Sequence, residues 1–257
     1  MDFVKYEVEN RIAYITLNRP DKRNALNFEV VSELKKAFTT AADDENAKVI
    51  VLKANGKSFC AGADLAYLQQ LQKNTYEENL ADSNHLKELF HQIYTLNKVV
   101  IAQIEGHAIA GGCGLATVCD FSFTVPEAKF GYTEVRIGFI PAIVKVFLLR
   151  KIGEAKSKQL LLTGELIGAV EAQALGLINE VVEAKEMETK VNDFAQMLIK
   201  NNSGQSMTYT KQMIANVQNM SLEEGLQYAA EMNATARASE DCKKGIASFL
   251  NKEPIVW

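Results

Sequence analysis

Several kinds of segment are missing from this chain of 257 residues. No apolar run approaches the roughly 20 residues that cross a membrane. The opening MDFVKYEVEN places acidic residues early and has no apolar h-region, so a signal peptide is not expected and the cytoplasm is the expected location. No Lys/Arg run is long enough to suggest nucleic acid or a membrane surface as a partner, and the net charge is −4. The four cysteines, Cys60, Cys113, Cys119 and Cys242, form no CxxC pair. His85, His91 and His107 lack ligand spacing, so no metal site is expected. The P-loop GxxxxGK followed by Ser or Thr, the nucleophile elbow GxSxG and the zinc motif HExxH are all absent. There is no low-complexity segment and no clean repeat of fixed period.

What remains is an ordinary globular composition, 47% apolar and 23% charged, in a chain long enough for one large domain or a domain with an appendage. FVKYEVE and IAYITL read as strands joined by a hairpin turn at EN. FEVVSELKKAFTTAADD has helical spacing through Val30, Leu34 and Phe38. KVIVLKA, VVIAQI and FSFTV read as further strands, and Thr75 with Glu78 forms a capping-box pattern that opens a helix. IVKVFLLRKIG reads as a buried helix. Strands alternate with helices to about residue 182, which predicts an α/β core. Four helical segments follow, near 186–200, 205–219, 221–236 and 240–251.

Two loops stand out. CAGAD at 60–64 and AGGCGLA at 110–116 each follow a strand and place small residues at an expected helix start. The first N–H groups of a helix have no intrahelical partner, and the helix dipole adds partial positive charge there. With no bulky side chains in the way, a negatively charged oxygen can reach those N–H groups, and two such ends together would make an oxyanion hole. Small residues also simply permit tight helix–strand packing. A dinucleotide loop fits poorly, because Thr117 stands where the third glycine of GxGxxG belongs.

NRPDKRNALN, FCAGADL, GHAIAGGCGLATVCDF, KFGYTEVRIGFIPA and LLTGELIGAVEAQALGLINEVV occur here in the order and spacing of the enoyl-CoA hydratase/isomerase family, the crotonases, and the chain resembles that family over nearly its whole length. The resemblance implies an α/β spiral of ββα units over 1–195. It also implies a C-terminal helical trimerisation region over 196–257, and a homotrimer or a homohexamer made by pairing trimers. It implies an acyl-CoA substrate, with CoA arriving as part of that substrate and no other cofactor. The thioester carbonyl would sit between the backbone N–H groups of Ala63 and Gly111, with Ala61, Gly62, Asp64, Leu65, Gly112, Gly114 and Pro141 around it.

By the same resemblance, many hydratases carry glutamates at the positions of Gly114 and Glu134, and the two carboxylates bracket one water. Here only Glu134 is present. One acid suits a hydratase in which a second group, such as Tyr132 or an ordered water, shares the proton work. It equally suits a Δ3-Δ2 enoyl-CoA isomerase, and an acyl-CoA-binding relative with little catalysis is a third possibility. EVRIGFIPAIVKVFLLRKIGEAKSKQLLLTGE resembles the branch containing methylglutaconyl-CoA and isohexenylglutaconyl-CoA hydratases, which favours hydration. A carboxylated acyl group would want a cation, for which Arg136 and Lys145 are candidates by proximity in sequence. Lys22, Arg23 and Ala25 match the family loop at the nucleotide end of CoA, and Phe249 and Lys252 match a C-terminal segment that approaches CoA in the same or a neighbouring subunit.

Overall fold

The computed structural model describes residues 1–257. Strands β1 (Val4–Glu9) and β2 (Ile12–Leu17) form an antiparallel hairpin. The turn residues are Asn10 and Arg11, at φ 50° and 67°. Two left-handed residues in succession are what a two-residue hairpin turn needs, so the turn lies one residue beyond EN. Helix α1 (Phe28–Asp43) follows, its N-terminus capped by the Asn27 side chain on Val30 N–H.

A recurring unit then builds the body. In the first turn, β3 (Val49–Ala54) leads through β4 (Ser58–Cys60) to α2 (Leu65–Leu71) and α3 (Tyr76–Thr95). The second runs β5 (Val99–Ile104), β6 (His107–Ile109), α4 (Gly111–Val118). In the third, β7 (Phe121–Thr124) and β8 (Lys129–Gly131) lead through a 3-10 turn, Glu134–Ile137, to α5 (Val144–Thr163). The chain closes the two sheets with β9 (Ile167–Gly168), α6 (Ala169–Ala174) and β10 (Glu180–Val181). The first strand of each unit joins a sheet ordered β1-β2-β3-β5-β7-β10, and the shorter second strand joins a sheet ordered β4-β6-β8-β9. This is the spiral of ββα units that the motifs imply. From β2 onward the larger sheet is parallel. A parallel sheet is covered on both faces, which is why VIVL and VVIAQI are buried at every position. Fifty-five buried apolar residues form one continuous core.

Four lysines close helix C-termini inside this body. Lys98 Nζ donates to Ala41 O and Asp44 O at the end of α1, both at 2.7 Å. Lys211 Nζ reaches Ile93 O of α3 at 3.1 Å and Asp120 Oδ2 at 2.7 Å. Lys151 Nζ reaches Thr117 O at 3.1 Å and Cys119 O at 3.2 Å, at the end of α4. Lys48 Nζ reaches Ile199 O and Asn202 O at 2.8 and 2.7 Å, at the end of α7 (Met187–Asn201). Each places a cation on carbonyls that the helix leaves unpaired, at the negative end of its dipole.

The remaining helices are α8 (Gly204–Val217), α9 (Leu222–Ala238) and α10 (Glu240–Asn251). Neither α9 nor α10 buries a residue in the single chain, and Leu222, Phe249 and Leu250 lie open on them. The boundary expected between 195 and 196 falls inside α7, whose Val191, Ala195, Leu198 and Ile199 are buried. The apolar face of this helix packs into the core. Helix α5 is also less buried than its sequence suggests, with Val146 and Leu149 exposed.

Candidate active site

The loop before α1 builds one wall. Asn24, 1% exposed, accepts from Arg19 N–H and donates to the carbonyls of Asn55 and Ser58, pinning the loop beside β4. Leu26 then forms a parallel bridge with Ala63. In that bridge Leu26 N–H donates to Gly62 O at 2.7 Å, and Asp64 N–H donates to Leu26 O at 2.8 Å. The bridge therefore uses the residues on either side of Ala63, and the Ala63 N–H faces the other way, with no acceptor in the chain. Asp64 caps α2 through Ala66 N–H at 3.0 Å and is held by Arg19 Nη1 at 2.8 Å. Ala63 stands before the cap, so its free N–H comes from the bridge rather than from the helix end.

Gly111 is the first residue of α4, and its N–H has no intrahelical acceptor. The preceding Ala110 holds φ 53° and ψ −122°, a strained conformation for a residue with a Cβ. Ala110 N–H is tied to Gly131 O at 2.7 Å. The two loops meet at Gly62, φ 87°, where a Cβ would lie 3.3 Å from Gly111 N. The free N–H groups of Ala63 and Gly111 thus come from two loops in contact, and both residues line one cavity of about 750 Å³.

Glu134 lines the same cavity, at the start of the 3-10 turn three residues beyond Gly131. Its Oε2 is buried and accepts no hydrogen bond from the chain. Burial pushes the Glu134 carboxyl above the ordinary glutamate range, as expected for a charge removed from water without a partner. Most of the rest of the wall is apolar, and Leu65, Pro141 and Val144 belong to it.

The other expected site residues are distributed differently. Gly112 supports packing, since a Cβ there would lie 2.1 Å from Cys60 O, and it keeps α4 against β4 rather than clearing the cavity. Gly114 also lies outside the cavity wall: a Cβ would meet Val144 Cγ1 at 2.2 Å and Phe90 Cε1 at 2.8 Å. The place of a second carboxylate is therefore filled by Val144 and Phe90. Tyr132 is fully buried, and its hydroxyl pairs with Thr117 Oγ1 at 2.8 Å, so it does not face the cavity and cannot share proton transfer there. Arg136 packs over Gly164, and Lys145 is exposed; neither lines the cavity, so neither supplies the cation considered for it. Ala61 donates to Arg23 O and Ala25 is buried, so both serve the loop scaffold. Lys22 and Arg23 are exposed, without a side-chain partner, and do not line the cavity. Phe249 and Lys252 lie on and after α10, outside the cavity of the single chain. The thiols of Cys60, Cys113 and Cys119 are buried and pushed up to about 12, which leaves them unreactive.

Sequence reading missed Tyr67 and Asp82, which face each other from α2 and α3 through a hydrogen bond and line the cavity. It also missed Arg19, the partner of Asp64. Tyr67 follows Asp64 by three residues and so shares the inner turn of α2, the one signal available.

The profile of the Enoyl-CoA hydratase/isomerase family matches residues 7–257. A Thermus thermophilus protein provisionally named an enoyl-CoA hydratase is 40% identical over 246 residues, covering 96% of this chain and 97% of that protein. The crotonyl-CoA hydratase of Syntrophomonas wolfei is 34% identical, over 96% of this chain and 94% of its own. The crystal structure of a Mycobacterium smegmatis enoyl-CoA hydratase superposes with a TM-score of 0.92 at 28% identity, covering 99% and 98% of the two chains. The paired loops, the buried carboxylate without a partner and these full-length matches lead to one conclusion: this chain belongs to the enoyl-CoA hydratase/isomerase family.

Proposed function

We propose that the chain is an enoyl-CoA hydratase, adding water across the α,β double bond of an acyl-CoA thioester. The observation that carries this reading is the unpaired, buried Glu134 Oε2 in the cavity that also receives the free N–H groups of Ala63 and Gly111. The thioester oxygen accepts from both N–H groups. As water attacks Cβ, charge moves onto that oxygen, and the two donors stabilise the enolate. Each such donor is worth about 3 kcal/mol in the transition state. Glu134 takes the proton from water as the C–O bond forms. It then returns a proton to Cα as the enolate collapses, so one carboxylate serves twice and ends as it began. Desolvation of Glu134 supports this, because a raised pKa makes the carboxylate a stronger base for taking the proton from water in the first step.

The hydratase names of the Thermus and Syntrophomonas proteins favour hydration. Isomerisation of a 3-enoyl to a 2-enoyl thioester is the second reading, favoured by the same lone carboxylate, since it needs only one base moving a proton between two carbons. CoA would enter past Lys22, Arg23 and Ala25, with Phe249 and Lys252 near its nucleotide end in the assembled protein. No further cofactor is required. The open apolar faces of α9 and α10 fit a homotrimer or a pair of trimers, in the cytoplasm. A substrate panel tests the reading. Crotonyl-CoA should lose its conjugated absorbance and give 3-hydroxybutyryl-CoA by NMR. Gain of conjugation from a 3-enoyl-CoA, with crotonyl-CoA untouched, would establish the isomerase instead.

A further inference from the structure

The charged groups on the cavity wall are all of one sign. Asp82 and Glu134 are its carboxylates, and no lysine or arginine lines it. Asp82 is half-buried on the inner side of α3, and its Oδ1 accepts from the Tyr67 hydroxyl of α2, so the pair joins the two helices across the wall. The neighbouring carboxylate holds the Tyr67 phenol well above the ordinary tyrosine range, after burial itself. The remaining basic side chain there is His85. Its Nδ1 lies 3.3 Å from Lys35 Nζ, and an ammonium only donates, so Nδ1 is an acceptor. Its Nε2 is engaged by Ser32 Oγ at 3.0 Å and Phe28 O at 3.3 Å. His85 therefore has no free N–H for a substrate carboxylate.

We infer that this pocket selects acyl chains with an uncharged end and rejects those ending in a carboxylate, with Asp82 as the selecting group. The inference rests on the acyl-CoA reading above, and it runs against the methylglutaconyl-like substrate that part of the sequence suggests. A dicarboxylic chain entering here loses water, meets two like charges and finds no cation. Specificity of this kind works by repulsion: the wall need not bind the correct chain more tightly, only make the wrong one unfavourable. The Tyr67 hydrogen bond fixes the direction of the Asp82 carboxylate, which makes Tyr67 a positioning residue.

The test compares valeryl-CoA with glutaryl-CoA, two saturated esters of equal length that end in methyl and carboxylate. Their dissociation constants are measured by calorimetry on the assembled full-length protein. Valeryl-CoA should bind tighter by about tenfold or more, the scale of one unfavourable charge contact in a partly buried site. Asp82→Asn should narrow that ratio at least threefold, by roughly the screened share of the contact. Tyr67→Phe, which keeps the ring and releases Asp82, should alter the ratio without abolishing it and covers the case in which Asp82→Asn does not fold. Equal or tighter binding of glutaryl-CoA to the wild type overturns the inference, as does an unchanged ratio in both variants. Loss of crotonyl-CoA hydration with the valeryl preference intact would remove the hydratase reading and leave this one standing.

Discussion

Gly114→Ala tests why the chain has a single catalytic carboxylate. The added Cβ would lie 2.2 Å from Val144 Cγ1, 2.8 Å from Phe90 Cε1 and 3.0 Å from Val144 Cβ. Carbon atoms pack at about 3.5–4.0 Å, so the nearest contact must open by about 1.5 Å. Phe90 is fully buried and Val144 is 4% exposed at the start of α5, so neither has free space to move into. Overpacking of this kind destabilises by about 1–3 kcal/mol. At about 2–4 °C per kcal/mol for a chain of this size, the variant should melt roughly 5 °C below the wild type. Gly114→Glu should fall further, because its carboxylate would also be buried without a partner, at about 2 kcal/mol or more. Val144→Ala removes the closest methyl, so the double variant Gly114→Ala/Val144→Ala should recover stability, with a coupling of about 1 kcal/mol. Thermal and urea unfolding of the four proteins in this cycle measure it. If Gly114→Ala melts with the wild type, or Val144→Ala gives no relief, the second-acid position is open and the one-carboxylate argument loses its structural basis.

Gly112→Ala should destabilise by about 3 kcal/mol in urea unfolding, since its Cβ meets Cys60 O at 2.1 Å on rigid backbone. Ala110→Gly should stabilise by about 1 kcal/mol in the same assay, because glycine relieves the φ of 53°. Hydration should fail on the acid side at a pH above the ordinary glutamate range, because Glu134 must be deprotonated to act and burial raises its pKa. The same raised pKa makes ionised Glu134 a burden on the fold that grows as pH rises. Glu134→Gln should therefore melt above the wild type at pH 8, and the gap should close below the ordinary glutamate pKa, about 4.3.

The long elements were legible because their patterns are long. VVIAQI and KVIVLKA read as strands from unbroken apolar runs, and the Thr75/Glu78 box announced α3 with both of its hydrogen bonds formed. The second sheet was barely legible: KFGYTEVRIGFIPA reads as strand and loop and holds Lys129–Gly131, but Ser58–Cys60 and His107–Ile109, three residues each, are too short to carry a period, and only their neighbours across the spiral define them. The small-residue loops meet at the cavity, yet their small residues are there for mixed reasons. Gly111 leaves an N–H free, Gly112 lets a helix approach a carbonyl, and Gly114 makes room for Val144 and Phe90, and one string of glycines cannot separate these. Ala63 owes its free N–H to a bridge with Leu26, a contact 37 positions away along the chain that no local pattern encodes. Asp82 and Tyr67 meet only because α2 and α3 fold over the cavity, so the charge of the acyl pocket could not be read before the fold.

The central claim is that Glu134 alone moves the protons of hydration while the N–H groups of Ala63 and Gly111 hold the thioester. The direct measurement is crotonyl-CoA turnover by Glu134→Gln beside the binding of butyryl-CoA to the same protein. Glutamine keeps the shape and removes the base. Turnover should fall by about 10²–10⁴-fold, the usual worth of a general base, with butyryl-CoA bound as in the wild type. A Glu134→Gln protein that hydrates crotonyl-CoA at the wild-type rate would contradict the account.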